Sequence, residues 1–240
     1  MNEDTVYALP RSRVEDFKFD ASVADVFENM INRSVPGYHF FLELIGLVTD
    51  GYHQPGSNCY DLGCSLGAAT LTIRRHLPDS CAVIGIDNSI DMITRCRANI
   101  ARDRSGAEVE IRHQDLRDAE IENASIVAMN FTLQFIPVTE RATVLARIAR
   151  GMLPGGALVV AEKIRFADGD RQEFMTNLHH EFKRLQGYSD LEIAQKRTAL
   201  ENVMITETEE EHIERLRTAG FRRVEVIGRC INFAAFLAVR

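Results

Sequence analysis

The 240-residue sequence predicts a single α/β domain in which a mostly parallel, doubly wound β-sheet carries helices on both faces. Two observations predict this class. Short apolar runs rich in β-branched residues alternate with longer amphipathic segments, which is the pattern of repeated βαβ units. The length also suits one such domain with a modest insertion, and 45% hydrophobic with 26% charged residues is an ordinary globular balance.

Residues 1–56 are expected to form an N-terminal helical cap. Asp20 or Ser22 can cap a first helix, whose apolar residues recur at helical spacing: Val23, Val26, Phe27 and Met30. Pro36-Gly37 interrupts this pattern, and a second apolar stripe follows from Tyr38 to Val48.

Residues 57–165 carry the alternating pattern and are expected to form the core of the sheet. Five runs predict strands: Asn58–Leu62, Ala82–Ile86, Glu108–His113, Ile126–Asn130 and Ala157–Glu162. Three amphipathic segments between them predict helices: Ala68–His76, Ser89–Arg102 and Thr139–Met152. Right-handed crossovers then place these helices on both faces of the sheet.

The last part of the chain departs from simple alternation. A polar helical stretch at Asp170–Asn202 predicts a helical insertion, residues 166–205, after the fifth strand. Residues 206–240 predict a C-terminal helix and a closing hairpin, built from Glu207–Ala219, Val224–Ile227 and Ile231–Val239. The hairpin brings the sheet to seven strands and adds an antiparallel C-terminal strand, which large α/β sheets allow.

The charge balance argues against a broad nucleic-acid interface. With 28 Lys and Arg against 35 Asp and Glu, the formal charge is −7 at pH 7, whereas such interfaces usually need a basic face. The longest apolar stretch, Phe40–Val48, is interrupted by Glu43 and is too short to span a bilayer. We therefore expect no direct nucleic-acid or membrane partner, while a local basic pocket for a small anion stays open.

The N-terminus and the cysteines predict a cytoplasmic protein without a metal site. The first residues are acidic and lack the apolar region of a signal peptide. The five cysteines are odd in number and include no C-x-x-C pair, which favours reduced thiols over disulfides or zinc.

The segment Asp61-Leu62-Gly63-Cys64-Ser65-Leu66-Gly67 joins the first predicted strand to a helix. Gly63 permits a tight turn with close approach of the backbone to a ligand, and Gly67 lets the helix pack near the strand. Asp87 ends the next strand, 24 residues after Gly63. That spacing suits a carboxylate that accepts both hydroxyls of a ribose, so a nucleoside site is predicted at the carboxyl edge of the sheet.

The loop favours S-adenosylmethionine over NAD as the nucleoside. A dinucleotide brings a pyrophosphate, and its loop normally carries G-x-G-x-x-G so that helix amides reach the phosphates. Here the spacing is G-x-x-x-G, and Asp61 just before it suits the amino group of a methionine moiety. Asp115 and Leu116 follow the third strand, where they can meet the adenine amino group and a ring nitrogen. Asn130 ends the fourth strand at the same edge.

These residues also have purely structural interpretations. Gly63 and Gly67 can be turn glycines. Asp87 can cap the helix that follows it, and Asp115 can be an ordinary turn residue. Cys64 is expected to fill space rather than act as a nucleophile, because no base is evident beside it.

Four blocks of the sequence carry a resemblance to a known family. They are Ser34-Val35-Pro36-Gly37-Tyr38, the stretch from Tyr60 to Thr70, Asn130-Phe131-Thr132-Leu133-Gln134-Phe135, and Gln195-Lys196-Arg197 with Leu200-Glu201-Asn202-Val203-Met204. Nearly end to end, the chain resembles the bacterial carboxy-S-adenosyl-L-methionine synthase family of the class I methyltransferase superfamily. The glycine-rich block alone would indicate only the superfamily, while the first and last blocks are much more specific.

The resemblance implies a Rossmann-like class I methyltransferase fold and a particular reaction. In that family, S-adenosylmethionine and prephenate give carboxy-S-adenosylmethionine and phenylpyruvate, and the product serves a separate enzyme that carboxymethylates the wobble uridine of transfer RNA. Prephenate loses carbon dioxide and hydroxide as its ring aromatises, so it can supply both base and electrophile, and no catalytic protein base is expected. The resemblance also favours a homodimer.

The family pattern also implies the ligand contacts. Arg197 is expected to bind the new carboxylate through its planar guanidinium, and from the insertion it can reach across a dimer. The other contacts to S-adenosylmethionine carry over to Tyr38, Gly63, Cys64, Ser65, Asp87, Asn88, Asp115, Leu116 and Asn130. Without the resemblance, Arg197 could be one more solvated charge and Tyr38 a core aromatic.

Two other functions stay open. An ordinary small-molecule methyltransferase would release S-adenosylhomocysteine with some acceptor and would be indifferent to prephenate. A non-catalytic subunit that supports a tRNA-modifying partner would co-purify with that partner and would not turn over the nucleoside.

Overall fold

A seven-stranded sheet organises the computed structural model, which describes residues 2–104 and 106–240. Its strands are β1 (Asn58–Leu62), β2 (Ala82–Asp87), β3 (Glu108–His113), β4 (Ala124–Asn130), β5 (Met152–Lys163), β6 (Arg223–Cys230) and β7 (Phe233–Val239). They lie in the order β3-β2-β1-β4-β5-β7-β6. The strands β1 to β5 are parallel, and β7 is antiparallel to both β5 and β6. The predicted fold class, with its antiparallel C-terminal strand, is confirmed.

Helices flank the sheet and precede it. Within the described residues they are α1 (Ala21–Ser34), α2 (Tyr38–Tyr52), α3 (Ala68–Arg75), α4 (Ile90–Arg102), α5 (Val138–Gly151), α6 (Gly169–Leu185), α7 (Asp190–Leu200) and α8 (Glu209–Thr218). The insertion after β5 consists of α6 and α7. None of the described helices combines the length and hydrophobicity needed to cross a bilayer.

Side-chain caps set where several helices begin. Of the two candidate caps for α1, Asp20 accepts the backbone N–H of Val23 at 3.1 Å, and the Ser22 hydroxyl donates to the same carboxylate. Ser189 and Thr208 begin α7 and α8 with reciprocal capping boxes. These caps fix where α7 begins within the insertion and where α8 begins after it.

The observed β5 is longer than the predicted strand. It begins at Met152 rather than Ala157, and it runs through Pro154, Gly155 and Gly156. Gly155 adopts a φ of 79°, and a Cβ on Gly156 would lie 2.9 Å from the Ser125 carbonyl oxygen. Glycine thus allows the irregular start of β5 to pass close to β4 where other residues would clash.

The sheet is buried on both faces, as its parallel strands require. Along β4, Val127 and Met129 pack into one hydrophobic cluster, while Ile126 and Ala128 pack into another on the opposite face. This division leaves the carboxyl ends of the strands as the place where polar side chains can gather.

The segment before α1 is fastened to the insertion. The Phe17 N–H donates to the Ala199 carbonyl oxygen at 2.9 Å. The side-chain amide of Gln195 donates to the carbonyl oxygens of Tyr7 and Leu9, both at 2.9 Å. The early residues of the chain and α7 therefore close over the carboxyl edge of the sheet together.

Candidate functional site

A pocket of about 780 Å³ opens at the carboxyl edge of the sheet. Strand ends and the loops after β1, β2 and β4 form its floor, and α1, α2, α6, α7 and the segment before α1 form its other walls. Ligands of open α/β sheets bind at this edge. All of the predicted site residues except Arg197 line this pocket.

The glycine-rich loop after β1 is tied to the end of β2. The N–H groups of Gly63 and Cys64 both donate to the Ile86 carbonyl oxygen, at 2.8 and 3.0 Å. Ser65 has a φ of 48° and donates its N–H to Asp87 Oδ2 at 2.9 Å. The backbone of the loop is therefore held against the pocket without help from a ligand.

Asp61 presents a carboxylate oxygen that no protein group satisfies. Its Oδ2 accepts the Thr70 hydroxyl at 2.6 Å, while its Oδ1 is buried and has no hydrogen-bond partner among the described residues. Burial raises the pKa of Asp61 to about 6. A buried acceptor without a partner is costly and uncommon, and an ammonium group of a ligand would satisfy it.

Asp87 anchors two backbone segments through its carboxylate. Oδ2 accepts from Ser65 and Oδ1 accepts from the Ser89 N–H, also at 2.9 Å. Burial raises the pKa of Asp87. The cap of α4 is Ser89, whose hydroxyl accepts the Met92 N–H, so Asp87 does not cap that helix.

Asp115 has the structural turn role that the sequence left open, while its contact to adenine stays a prediction. It accepts the Arg117 N–H at 2.9 Å and caps the short 3₁₀ turn Leu116–Asp118. Its carboxylate also accepts from the Arg117 guanidinium, which lowers the pKa of Asp115. Asp115, Leu116 and Asn88 line the same side of the pocket as Asp87.

The turn after β4 is strained and buried. Asn130 ends the strand with a buried Oδ1 that has no partner in the described part of the chain. Phe131 follows with a φ of 61°, a conformation that a bulky residue adopts only when its surroundings fix it. Glu162 supplies that restraint, because its carboxylate accepts the N–H groups of Leu133 and Gln134 at 2.7 and 3.0 Å.

Aromatic side chains form one wall beside this turn. The ring of Phe131 contacts those of Phe41 and Phe233 edge to face, at 5.4 and 5.7 Å between centroids, and Tyr38 lies 6.3 Å away. Burial raises the pKa of Tyr38, so it stays a neutral phenol. This wall can exclude water from the centre of the pocket.

Arg197 is exposed on α7 and does not line the pocket of a single chain. Its neighbour Lys196 is buried and faces inward. Burial lowers the pKa of the lining residue Lys163, and the charge of Arg197 lowers it further. A single chain thus brings Arg197 near the pocket but not into it, and its role stays a prediction.

Sequence reasoning missed a group of lysines on the far side of the pocket from the aspartates. Lys163, Lys183 and Lys196 all line it. A signal existed for Lys163, because it follows the fifth predicted strand directly, where ligands bind. No signal existed for Lys183. It lies in a polar helical stretch whose sequence pattern does not indicate which side of the helix is buried. Phe17 and Phe19, which also line the pocket, precede every predicted element.

Among residues 2–104 and 106–240, no three His, Cys, Asp or Glu side chains are grouped so that they could hold a metal ion. The five cysteines are free thiols. A hydrogen bond with Cys96 and then burial raise the pKa of Cys64, so the thiol in the glycine-rich loop is not poised as a nucleophile.

Comparisons with known proteins identify the family of the chain. A family model described as a methyltransferase domain matches residues 60–156. Three curated relatives are each named carboxy-S-adenosyl-L-methionine synthase. The protein from Hahella chejuensis is 54% identical over 100% of this chain and 99% of its own length. Those from Marinobacter nauticus and Escherichia coli K12 are 51% and 48% identical, over 99% and 100% of this chain and 95% and 97% of their own lengths.

Solved structures share the fold at low sequence identity. An O-methyltransferase family protein from Burkholderia thailandensis has a TM-score of 0.65 at 18% identity and covers 92% of this chain and 60% of its own. Magnesium protoporphyrin IX methyltransferase from Synechocystis, solved with bound S-adenosylmethionine, has a TM-score of 0.58 at 14% identity and covers 94% and 99%. At these identities the likeness concerns the fold alone.

Proposed function

This chain belongs to the carboxy-S-adenosyl-L-methionine synthase family, and on that premise we propose that its substrates are S-adenosylmethionine and prephenate. Its products are then carboxy-S-adenosylmethionine and phenylpyruvate. The identity of 48–54% over nearly the full length of the relatives supports the synthase activity. One structural observation supports S-adenosylmethionine. Oδ1 of Asp61 is buried without a partner among the described residues, and it would accept a hydrogen bond from the amino group of this substrate.

The nucleoside would lie across the ends of β1, β2 and β3. Asp87 accepts the ribose hydroxyls, Asp115 meets the adenine amino group, and the Leu116 N–H faces a ring nitrogen. The remaining assigned contacts come from the glycine-rich loop and the far strand ends, at Tyr38, Gly63, Cys64, Ser65, Asn88 and Asn130. Arg197, from its own chain or a second copy, binds the carboxylate that the reaction creates.

The reaction balances without a protein base. Prephenate dianion gives phenylpyruvate, carbon dioxide and hydroxide as its ring becomes aromatic. Hydroxide removes a proton from the methyl group on the sulfonium, which yields water and a sulfur ylide. The ylide carbon then forms a bond to carbon dioxide, and the new carboxylate stays on the cofactor.

The protein's contribution is positioning and exclusion of water. The ylide would be quenched by a proton from solvent, and carbon dioxide would escape, unless both form in a closed space. The aromatic wall of Tyr38, Phe131 and Phe233 supplies that space. His179, whose ring packs against Phe233, is a poor base because burial lowers its pKa to about 2.

The same proposal covers the setting of the reaction. The product would be the donor for an enzyme that carboxymethylates the wobble uridine of transfer RNA, while this chain, with its charge of −7, does not itself hold the RNA. The chain works in the cytoplasm as a homodimer. In the dimer, Arg197 of one copy can reach the pocket of the other.

Mass spectrometry tests the proposal directly. Purified protein is incubated with S-adenosylmethionine and prephenate, and the nucleoside is expected to gain the mass of carbon dioxide. Phenylpyruvate should appear in equal amount. Release of S-adenosylhomocysteine, with no dependence on prephenate, would instead identify an ordinary methyltransferase.

A further inference from the structure

Lysines occupy the side of the pocket opposite the aspartates. Lys163 ends β5, while Lys183 and Lys196 project from α6 and α7, and all three line the pocket. Asp61, Asp87 and Asp115 line it from the ends of β1, β2 and β3. The pocket therefore has a negative end, which suits the sulfonium nucleoside, and a positive end.

Only two of the three lysines are available to a ligand. The ammonium of Lys196 donates to the Ser34 hydroxyl at 2.9 Å and lies 3.6 Å from the Asp4 carboxylate. No hydrogen bond or ion pair of the ammonium groups of Lys163 and Lys183 is found among residues 2–104 and 106–240. Lys183 is only 8% exposed. Two cations thus face the pocket without counter-ions.

The neighbouring histidine adds no charge of its own. His179 lies one turn before Lys183, and its Nε2 must donate to the Ser34 carbonyl oxygen, 2.8 Å away. Burial and the charges of Lys183 and Lys163 keep His179 neutral. Positive charge at this end of the pocket therefore comes from the lysines.

Ammonium groups without counter-ions on the half-buried Lys163 and the buried Lys183 are unfavourable in the free protein. Burial lowers the pKa of Lys163 to about 8, and it lowers the pKa of Lys183, on which the charge of Lys163 also acts. Taking an ammonium group out of water costs several kcal/mol unless an anion compensates. A carboxylate between the two lysines would remove this cost.

The chemistry of the reaction decides which carboxylate suits them. Prephenate has a ring carboxylate, which leaves as carbon dioxide, and a pyruvyl carboxylate, which is retained in phenylpyruvate. Loss of carbon dioxide moves negative charge out of the departing group. Ammonium groups on that carboxylate would stabilise the ground state more than the transition state and would slow the reaction.

We propose that Lys163 and Lys183 form an anion subsite that binds the retained pyruvyl carboxylate of the second substrate. The departing ring carboxylate then lies away from both ammonium groups. This inference rests on the proposed prephenate reaction, which supplies the identity of the anion.

Binding of two anions to protein loaded with S-adenosylhomocysteine tests the subsite. Phenylpyruvate has only the retained carboxylate, whereas prephenate has both. Lys183→Met and Lys163→Met should each weaken both anions at least about tenfold in calorimetry. The matched control is Arg184→Met, which removes an exposed positive charge from the next position of α6 and should leave both affinities unchanged.

Three results would overturn the subsite. Unchanged affinity for both anions would show that the lysines do not bind them. Loss of prephenate affinity with phenylpyruvate unaffected would assign the lysines to the departing carboxylate. An equal loss of S-adenosylmethionine affinity would assign them to its methionine carboxylate.

The subsite and the proposed function can fail separately, because these measurements need no turnover. Carboxy-S-adenosylmethionine formation by the wild type, together with normal anion binding by both variants, would overturn the subsite alone. A wild type that forms none, but whose phenylpyruvate binding depends on both lysines, would support the subsite and overturn the prephenate reaction.

Two measurements guard against damage to the fold. Methionine in place of an unpaired buried ammonium should leave the thermal midpoint unchanged or higher, as unfolding experiments would record. In the wild type, phenylpyruvate should protect Lys163 and Lys183 from reductive methylation, read by peptide mass spectrometry. Equal labelling with and without phenylpyruvate would contradict the subsite even if neither variant folded.

Discussion

A Cβ atom on Gly63 would lie within 3.0 Å of three atoms of the Thr132 side chain, including its hydroxyl oxygen. Gly63 belongs to the loop after β1, and Thr132 belongs to the strained turn after β4. Gly63 also has a φ of 82°, which other residues adopt at a cost. The two loops of the pocket therefore touch at a point where only glycine fits.

Gly63→Ala should be markedly more destabilising than Gly56→Ala. Gly56 has a φ of 73°, but a methyl group added there would meet no atom within 4 Å, so alanine introduces only backbone strain. We expect a loss of about 1–2 kcal/mol in the free energy of unfolding for Gly56→Ala. Gly63→Ala should lose about 1–3 kcal/mol more through overpacking against Thr132. Chemical denaturation measures both, and equal losses would contradict the close contact.

Affinity for S-adenosylmethionine should depend on pH through Asp61. Its pKa is raised to about 6, so in the free protein the carboxyl takes up a proton as the pH falls through that value. A protonated carboxyl cannot pair with the amino group, and affinity should therefore fall below about pH 6, by up to about tenfold per pH unit. Asp61→Asn should bind S-adenosylmethionine more weakly at neutral pH. In calorimetry its affinity should no longer fall as the pH drops below about 6. Identical pH profiles for the two proteins would exclude Asp61 as the partner.

Asp87→Ala should weaken nucleoside binding about 10- to 100-fold, since it removes charge-assisted hydrogen bonds to the ribose. S-adenosylmethionine and S-adenosylhomocysteine should lose equal factors, because they share the ribose. Isothermal calorimetry measures both, and Asp79→Ala, at an exposed carboxylate, is the control. Unchanged affinity in Asp87→Ala would refute the ribose assignment.

Arg197→Ala should spare S-adenosylmethionine and weaken carboxy-S-adenosylmethionine, because only the product carries the carboxylate that Arg197 is proposed to bind. We expect a loss of about tenfold or more for the product. Arg217→Ala, at an exposed position of α8, serves as the control. Equal affinity of the Arg197 variant for the two nucleosides would remove Arg197 from the site.

Most of the fold could be predicted because burial on both faces leaves continuous apolar runs in the strands. The bounds of β1 and β3 agree with those runs, and β2 differs by one residue at its end. The start of β5 could not be predicted, because Pro154-Gly155-Gly156 has the composition of a turn. Hydrogen bonds between this segment and Arg240, which is remote in sequence, hold it extended.

Some residues of the candidate site could likewise be predicted from the sequence, and others could not. Asp61, Asp87 and Asn130 could be predicted to lie together because each lies at or next to the end of a parallel strand at one edge of the sheet. Lys183 and Lys196 could not, because their burial depends on how the insertion packs, and polar helices carry no sign of which lysine faces inward. The tie between the segment before α1 and α7 likewise joins residues that are remote in sequence.

The position of β7 has a consequence for synthesis on the ribosome. This strand leaves the exit tunnel after the other six, yet it pairs with both β5 and β6. Until it emerges, a nascent chain holds β5 as an apolar, open edge, the type of surface on which strands of other chains can add. Completion of the sheet thus waits for β7, whose pairing removes this aggregation-prone edge.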